Sequence, residues 1–225
     1  MVGVYLVLLE KGFFFFCCNN NNNNNNNNNY KKYILKQPNF DELCRRCGKE
    51  SGTIQHITAA CEQLAPTEYL KRCDGLAKII NQKLAEAAEF IEEKSPYYKH
   101  TPANVLENDN FKLYWNRNIL TDKTIHFNLP DITSINKQTK NSFLIDTAVP
   151  NTHHLAKTVT DKQNNYQELA NEICAMWKQN TAQVIPLVIS STGVIPKSLT
   201  QSLKRLNLHP NTYTQMQKSV ILGTC

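Results

Sequence analysis

The chain has 225 residues, of which 41% are hydrophobic and 20% charged, with a formal net charge of +6. That length allows one or two domains with a sizeable core, and the balance suits a soluble globular protein. Glycine is scarce at 7 residues and neither GxGxxG nor GxxxxGK[ST] occurs, which argues against dinucleotide-binding and P-loop folds. Residues 1–39 carry Lys11, Lys31, Lys32 and Lys36 against Glu10, half of the positive excess. A basic balance of this size is compatible with nucleic acid but does not specify it. The cysteines fall at 17, 18, 44, 47, 61, 73, 174 and 225. Three cluster with a histidine, which indicates metal and a reducing compartment rather than a secreted disulfide scaffold.

Residues 1–32 hold an apolar stretch, Phe13–Phe16 and Asn19–Asn29. A polar homopolymer tract buries nothing, so this low-complexity segment is expected to be disordered and not native domain sequence. VGVYLVLL has the apolar length of a signal peptide but no basic residues before it, and Glu10-Lys11 interrupts it. It also falls short of the about 20 residues a membrane span needs, so no membrane association is expected.

The stretch 33–65 contains CRRCGKESGTIQHITAAC, which spaces Cys44, Cys47, His56 and Cys61 as C-x2-C-x8-H-x4-C. A close Cys pair grips one side of a tetrahedral Zn²⁺ from a tight turn, and Gly48 suits that turn. His56 and Cys61, five apart, can both face the same ion. Arg45 and Arg46 lie between the first ligands, where they could meet phosphate. The spacing leaves open whether the knuckle contacts nucleic acid or only staples the fold. Cys73 is taken as structural.

From Pro66 to about Lys94 a helix is expected, with Leu70, Cys73, Leu76, Ile80, Leu84, Ala87 and Ile91 on one face, making 66–95 a connecting segment. Residues 95–110 read as a loop holding Glu107 and Asp109, and 111–117 as helical. Residues 123–128 and 132–136 alternate enough for strands, KQTKN is a turn, and FLIDTAV (143–149) reads as a central buried strand ended by Pro150. Asp131 opens the hairpin and Asp146 lies inside its second strand. An unpaired carboxylate is costly to bury, so Asp146 needs a partner or a metal, and two carboxylates at one sheet end suit Mg²⁺.

The helix that follows has a stripe of Leu155, Val159, Lys162, Tyr166, Leu169, Ile173 and Met176. Lys162 on that stripe faces the sheet. It is either a snorkelling lysine or a cation beside the Asp146 site, with Tyr166 one turn on. QVIPLVISS (183–191) then reads as a strand parallel to FLIDTAV, with Pro186 as its weak point. Two C-terminal helices follow, marked by Leu199, Leu203 and Leu206, then by Tyr213, Met216 and Val220. The fold class is α/β: a small mixed sheet flanked by helices, behind a zinc knuckle and a long helix.

The Cys-Cys-His-Cys knuckle, the Pro130-Asp131 pair, Asp146 in an apolar strand and Lys162-x3-Tyr166 together resemble the C-terminal end of the reverse-transcriptase polyprotein of non-LTR retrotransposons that carry a restriction-like endonuclease. The resemblance covers roughly residues 33–225. It implies a restriction-endonuclease-like core over 96–225 that nicks target DNA to prime reverse transcription. It also implies Mg²⁺ on Asp131 and Asp146, Lys162 and Tyr166 as catalytic residues, structural Zn²⁺, DNA and alternatively RNA as partners, no small-molecule cofactor, and a nuclear location. Two features depart from the family: Leu129 stands where a basic residue commonly precedes Pro-Asp, and no polymerase sequence precedes the knuckle, so a truncated or degenerate copy is expected. The competing expectations are a non-catalytic zinc module that binds nucleic acid and a decayed relic. Glu107 is a further ligand candidate, and His153 and His154 are expected on the surface.

Overall fold

The computed structural model describes residues 5–9, 12–16, 43–53, 55–91 and 95–223. Near the N-terminus, β1 (Tyr5–Leu9) and β2 (Gly12–Phe16) pair antiparallel, with Tyr5 opposite Phe16. A branched apolar run and an aromatic run, two residues apart, suit a hairpin. The Asn tract lies outside the described residues.

The main sheet runs in spatial order β3 (Val105–Glu107), β4 (Phe111–Trp115), β5 (Ile132–Asn136), β6 (Asn141–Ala148) and β7 (Thr181–Val188). The first four form an antiparallel meander, and β7 joins β6 in parallel. FLIDTAV is therefore an interior strand, as its apolar run implies. Pro186 sits on an edge strand, where its missing N–H breaks no second ladder. Its carbonyl accepts a hydrogen bond from Ser202 Oγ at 3.0 Å.

Helices cover both faces. On one side lie α1 (Leu70–Ala87), α4 (Lys197–Arg205) and α5 (Thr212–Leu222), enclosing Leu76, Ile80, Ile132, Ile145, Ile185, Leu203 and Met216. On the other, α2 (Leu155–Asn165) and α3 (Gln167–Met176) close over Leu144 and Val184 with Leu169 and Ile173. Two cores on one sheet make an α/β layered fold. Among the described residues no helix is long and apolar enough to cross a membrane.

Four local expectations change. Residues 111–115 are strand rather than helix: Phe111, Leu113 and Trp115 alternate with Lys112 and Tyr114, and pairing on both sides decides in favour of the period of two. The expected loop contains β3, which supplies one of those neighbours. Residues 123–128 form no strand; Ile125 and Ile119 instead plug the second core. The long helix is α-helical only to Ala87, after which Glu89 turns with φ 60° and Asn108 Nδ2 caps the Ala88 carbonyl at 2.9 Å. Its buried face includes Leu76, Ile79 and Ile80, whereas Leu70 is 58% exposed. Ile80→Ala should therefore cost about 2–5 kcal/mol and Leu70→Ala less than about 0.5 kcal/mol in denaturant unfolding. Equal losses would contradict this orientation of α1.

Candidate functional site

Two constellations stand out. In the first, Cys44, Cys47, His56 and Cys61 bring their four ligand atoms within 4.8 Å of one another. Cys44 Sγ is 3.8 Å from Cys61 Sγ, and Cys47 Sγ is 3.2 Å from His56 Nε2. Gly48, at φ +65°, makes the turn between the first pair and the rest, and its amide donates to the Cys44 carbonyl at 2.6 Å. A short π-helical turn, His56–Ala60, carries the histidine, and Cys61 follows directly. The amides of Lys49 and Glu50 face the Cys47 sulfur and lower its thiol to about 6, so the thiolate that a metal needs is present at neutral pH. Burial pushes Cys61 up, so its proton must leave when a metal enters.

Glu50, which the spacing argument missed, lies 2.9 Å from His56 Nδ1. A carboxylate there fixes Nδ1 as the protonated nitrogen and leaves Nε2 for a metal. This Cys₃His set can hold a metal ion, and its soft thiolates and imidazole suit zinc.

The second constellation sits at the end of the sheet where β5 starts and β6 ends. Ile132 pairs with Ile145, which brings Asp131 alongside Asp146. Asp131 Oδ2 accepts from the Thr147 amide at 2.7 Å and from Thr147 Oγ1 at 2.6 Å. Asp146 is 3% exposed, and Lys162 Nζ forms an ion pair with its Oδ2. Tyr166 Oη lies 3.1 Å from Asp146 Oδ1 and 2.9 Å from the Leu129 carbonyl, so its single proton can serve either acceptor. The expected continuous helix breaks at Tyr166, which ends α2 and begins α3 with φ −97° and ψ 1°. That break keeps the buried ring on the second core while its hydroxyl reaches the acid.

Burial first, then the neighbouring Asp131 charge, pushes the Asp146 carboxyl up to about 6 against the pull of Lys162. Burial also raises Asp131, opposed by the two Thr147 donors. Thr147 and the first turn of α1 were not singled out from sequence. A threonine after the acid in a buried strand was the only available signal. The Cys73 carbonyl lies 3.4 Å from Thr147 Oγ1, and the Cys73 thiol is raised by burial, with Tyr69 and the Val149 amide opposing.

Other candidates fall elsewhere. Glu107 is held by Lys112 at 2.9 Å and Lys137 at 2.7 Å, because β3 and β4 place it opposite Lys112. It is an ion-pair partner rather than a further ligand of the acids. His153 and His154 are exposed in a 3₁₀ turn after β6, as expected.

No protein-family model matches the chain, and no curated protein matches it in sequence.

Two predictions follow from this geometry. Metal analysis of reduced, purified protein should find about one zinc per chain. Cys61→Ser should lose it and lower the melting temperature, while Glu50→Ala should weaken zinc affinity by about 10–100-fold. Metal-free wild type and Cys61→Ser melting together would remove the cluster as a staple. For Asp146, a raised carboxyl pKa favours the protonated form in the folded state. Its contribution to stability is therefore greatest below the ordinary carboxylate range and is lost as pH rises through about 6. Between about pH 4 and pH 7 wild type should lose on the order of 2–3 kcal/mol relative to Asp146→Asn, without divalent cations. Parallel pH profiles would show that this carboxyl is not held up.

Proposed function

We propose that the chain is a Mg²⁺-dependent DNA-nicking endonuclease domain with a zinc-stapled knuckle, of the kind found at the C-terminal end of non-LTR retrotransposon polyproteins. The observation that carries the reading is the meeting of Asp131, Asp146, Lys162 and Tyr166 at one sheet end. A buried carboxylate, Asp146, and a half-buried one, Asp131, face one ammonium there, leaving an excess negative charge. A divalent cation and one scissile phosphate would bring the group to neutrality, and the oxygen donors there suit a hard cation.

Asp131 and Asp146 would hold that cation, which when bound acidifies water and offsets charge on phosphate. Thr147 orients Asp131 through two donors. Lys162, at 29% side-chain exposure, can turn from Asp146 towards a phosphate oxygen while keeping its charge beside the acids. Tyr166 keeps Asp146 oriented while the lysine does so. A non-catalytic module is the second reading; the exposed Arg45 and Arg46 beside the metal cluster favour it, since they supply phosphate contacts without the acids.

Supercoiled plasmid should be nicked only with Mg²⁺ or Mn²⁺. Asp146→Ala should abolish nicking while leaving circular dichroism unchanged, and Lys162→Met should slow it by about 10²–10³-fold. Tyr166→Phe should cost much less, because only an orienting hydrogen bond is removed. DNA binding without nicking under any divalent cation would transfer the conclusion to the second reading.

A further inference from the structure

The face of the sheet that carries Asp146 is only partly roofed. Lys112 and Tyr114 of β4, Thr133 and Ile135 of β5, and Ser142, Leu144 and Asp146 of β6 all lie on it by register. α2 and α3 pack on β7, and α3 ends at Met176, short of the β3–β4 side. There Trp177, the residue after α3, meets Tyr114 with ring centroids 6.2 Å apart and planes inclined at 39°. Tyr114 and Trp177 are each half-buried.

Cations surround the pair. Lys112 Nζ lies 5.2 Å and Arg117 Cζ 5.5 Å from the Tyr114 ring centroid. Asn116, at φ 43°, turns the chain after β4 so that Arg117 returns over the ring. Lys178, exposed and at φ 50°, follows Trp177, and Lys137 borders the β4 side. Glu107 pairs with Lys112 and Lys137, and Asp109 is exposed in the adjoining turn. Four cations against two carboxylates leave the patch positive. The Asn116 amide donates to the Asp131 carbonyl at 2.8 Å, so the patch adjoins the acidic sheet end.

We infer that Tyr114 and Trp177, flanked by Lys112, Arg117 and Lys178, form a binding platform for single-stranded nucleic acid. Unpaired bases present π faces that can stack on the two rings, and the surrounding cations can meet the phosphates of a flexible strand. A duplex keeps its bases stacked on one another and offers the rings nothing; an acidic peptide would satisfy the cations without needing the aromatic pair. The inference shares the nucleic-acid half of the proposed function but needs no cleavage. It adds where a strand lies beside the acids.

The test uses the full chain and a fluorescein-labelled oligo-dT of about 12 nucleotides, followed by anisotropy without divalent cations, so that no cleavage intervenes. Tyr114→Ala and Trp177→Leu should each weaken binding by about tenfold. Tyr114→Phe, which keeps the π face, should bind as wild type. Arg117→Gln, a surface change that leaves the core intact, should weaken binding and reduce the salt slope by about one phosphate. The platform is overturned if wild type does not bind oligo-dT. It is also overturned if Trp177→Leu and Arg117→Gln both bind unchanged, or if polyglutamate of equal charge displaces the strand as well as unlabelled oligo-dT. Tight oligo-dT binding with these losses, in a protein that never nicks, sustains the platform and defeats the nuclease reading. Nicking together with unaltered binding in the variants does the reverse.

Discussion

The structure turns on a carboxylate placed where a strand is buried. Asp146 stands among Ile145, Thr147 and Ala148 in the interior strand of the sheet, with Asp131 beside it and one lysine in reply. Isolated, such a charge would cost several kcal/mol. The fold answers it from three directions: an ammonium from α2, a hydroxyl from the break between α2 and α3, and the Thr147 pair that occupies Asp131 instead. The stripe that sets α2 and α3 against the sheet therefore positions charges as well as apolar side chains. Extending α2 unbroken through Tyr166 would alter where the following helix sits over Leu144 and Val184.

The metal cluster is tied to the same sheet through the start of α1. Thr58, in the π-helical turn between His56 and Cys61, donates to Ser191 Oγ at 3.0 Å, just beyond β7. Its carbonyl receives the Arg72 guanidinium, and Arg72 is 3% exposed. One residue later the Cys73 carbonyl approaches Thr147. The cluster, the first turn of α1 and the acid-bearing strand thus form a continuous chain of polar contacts. A segment without its own apolar core is tied down by a buried guanidinium on one side, and a metal held by the Cys₃His set would staple it on the other.

Much of this was legible in the residues. FLIDTAV and the parallel QVIPLVISS strand were readable because strands covered by helices on both faces are apolar on both faces. Lys162 and Tyr166 were readable because two polar groups interrupt an otherwise apolar helical stripe at regular steps. The Cys₃His spacing was readable because short metal loops are local. What was missed was non-local or ambiguous. FKLYWNR is short enough to satisfy either period, and only β3 and β5 on its flanks make it a strand. Glu107 read as a ligand because its partners Lys112 and Lys137 become neighbours only in the hairpins. Leu70 sits on the expected helical stripe, yet as the first residue of α1 it stays exposed, while Leu76, Ile80 and Leu84 of the same stripe, joined by Ile79, are buried.

The raised Asp146 carboxyl also bears on whether the acidic sheet end is scaffold or site. For holding β6 between β5 and β7, any apolar residue of that size would serve, because the backbone ladder needs no side-chain charge. An amide would bond to Tyr166 without the desolvation that lifts the carboxyl to about 6. Two acids facing one lysine therefore destabilise the fold relative to neutral alternatives. Groups that cost stability in isolation and recover it on meeting a cation are the expected composition of a binding site rather than of a core. On that physical ground the proposed cation at Asp131 and Asp146 accounts for more of the structure than an inert sheet end does.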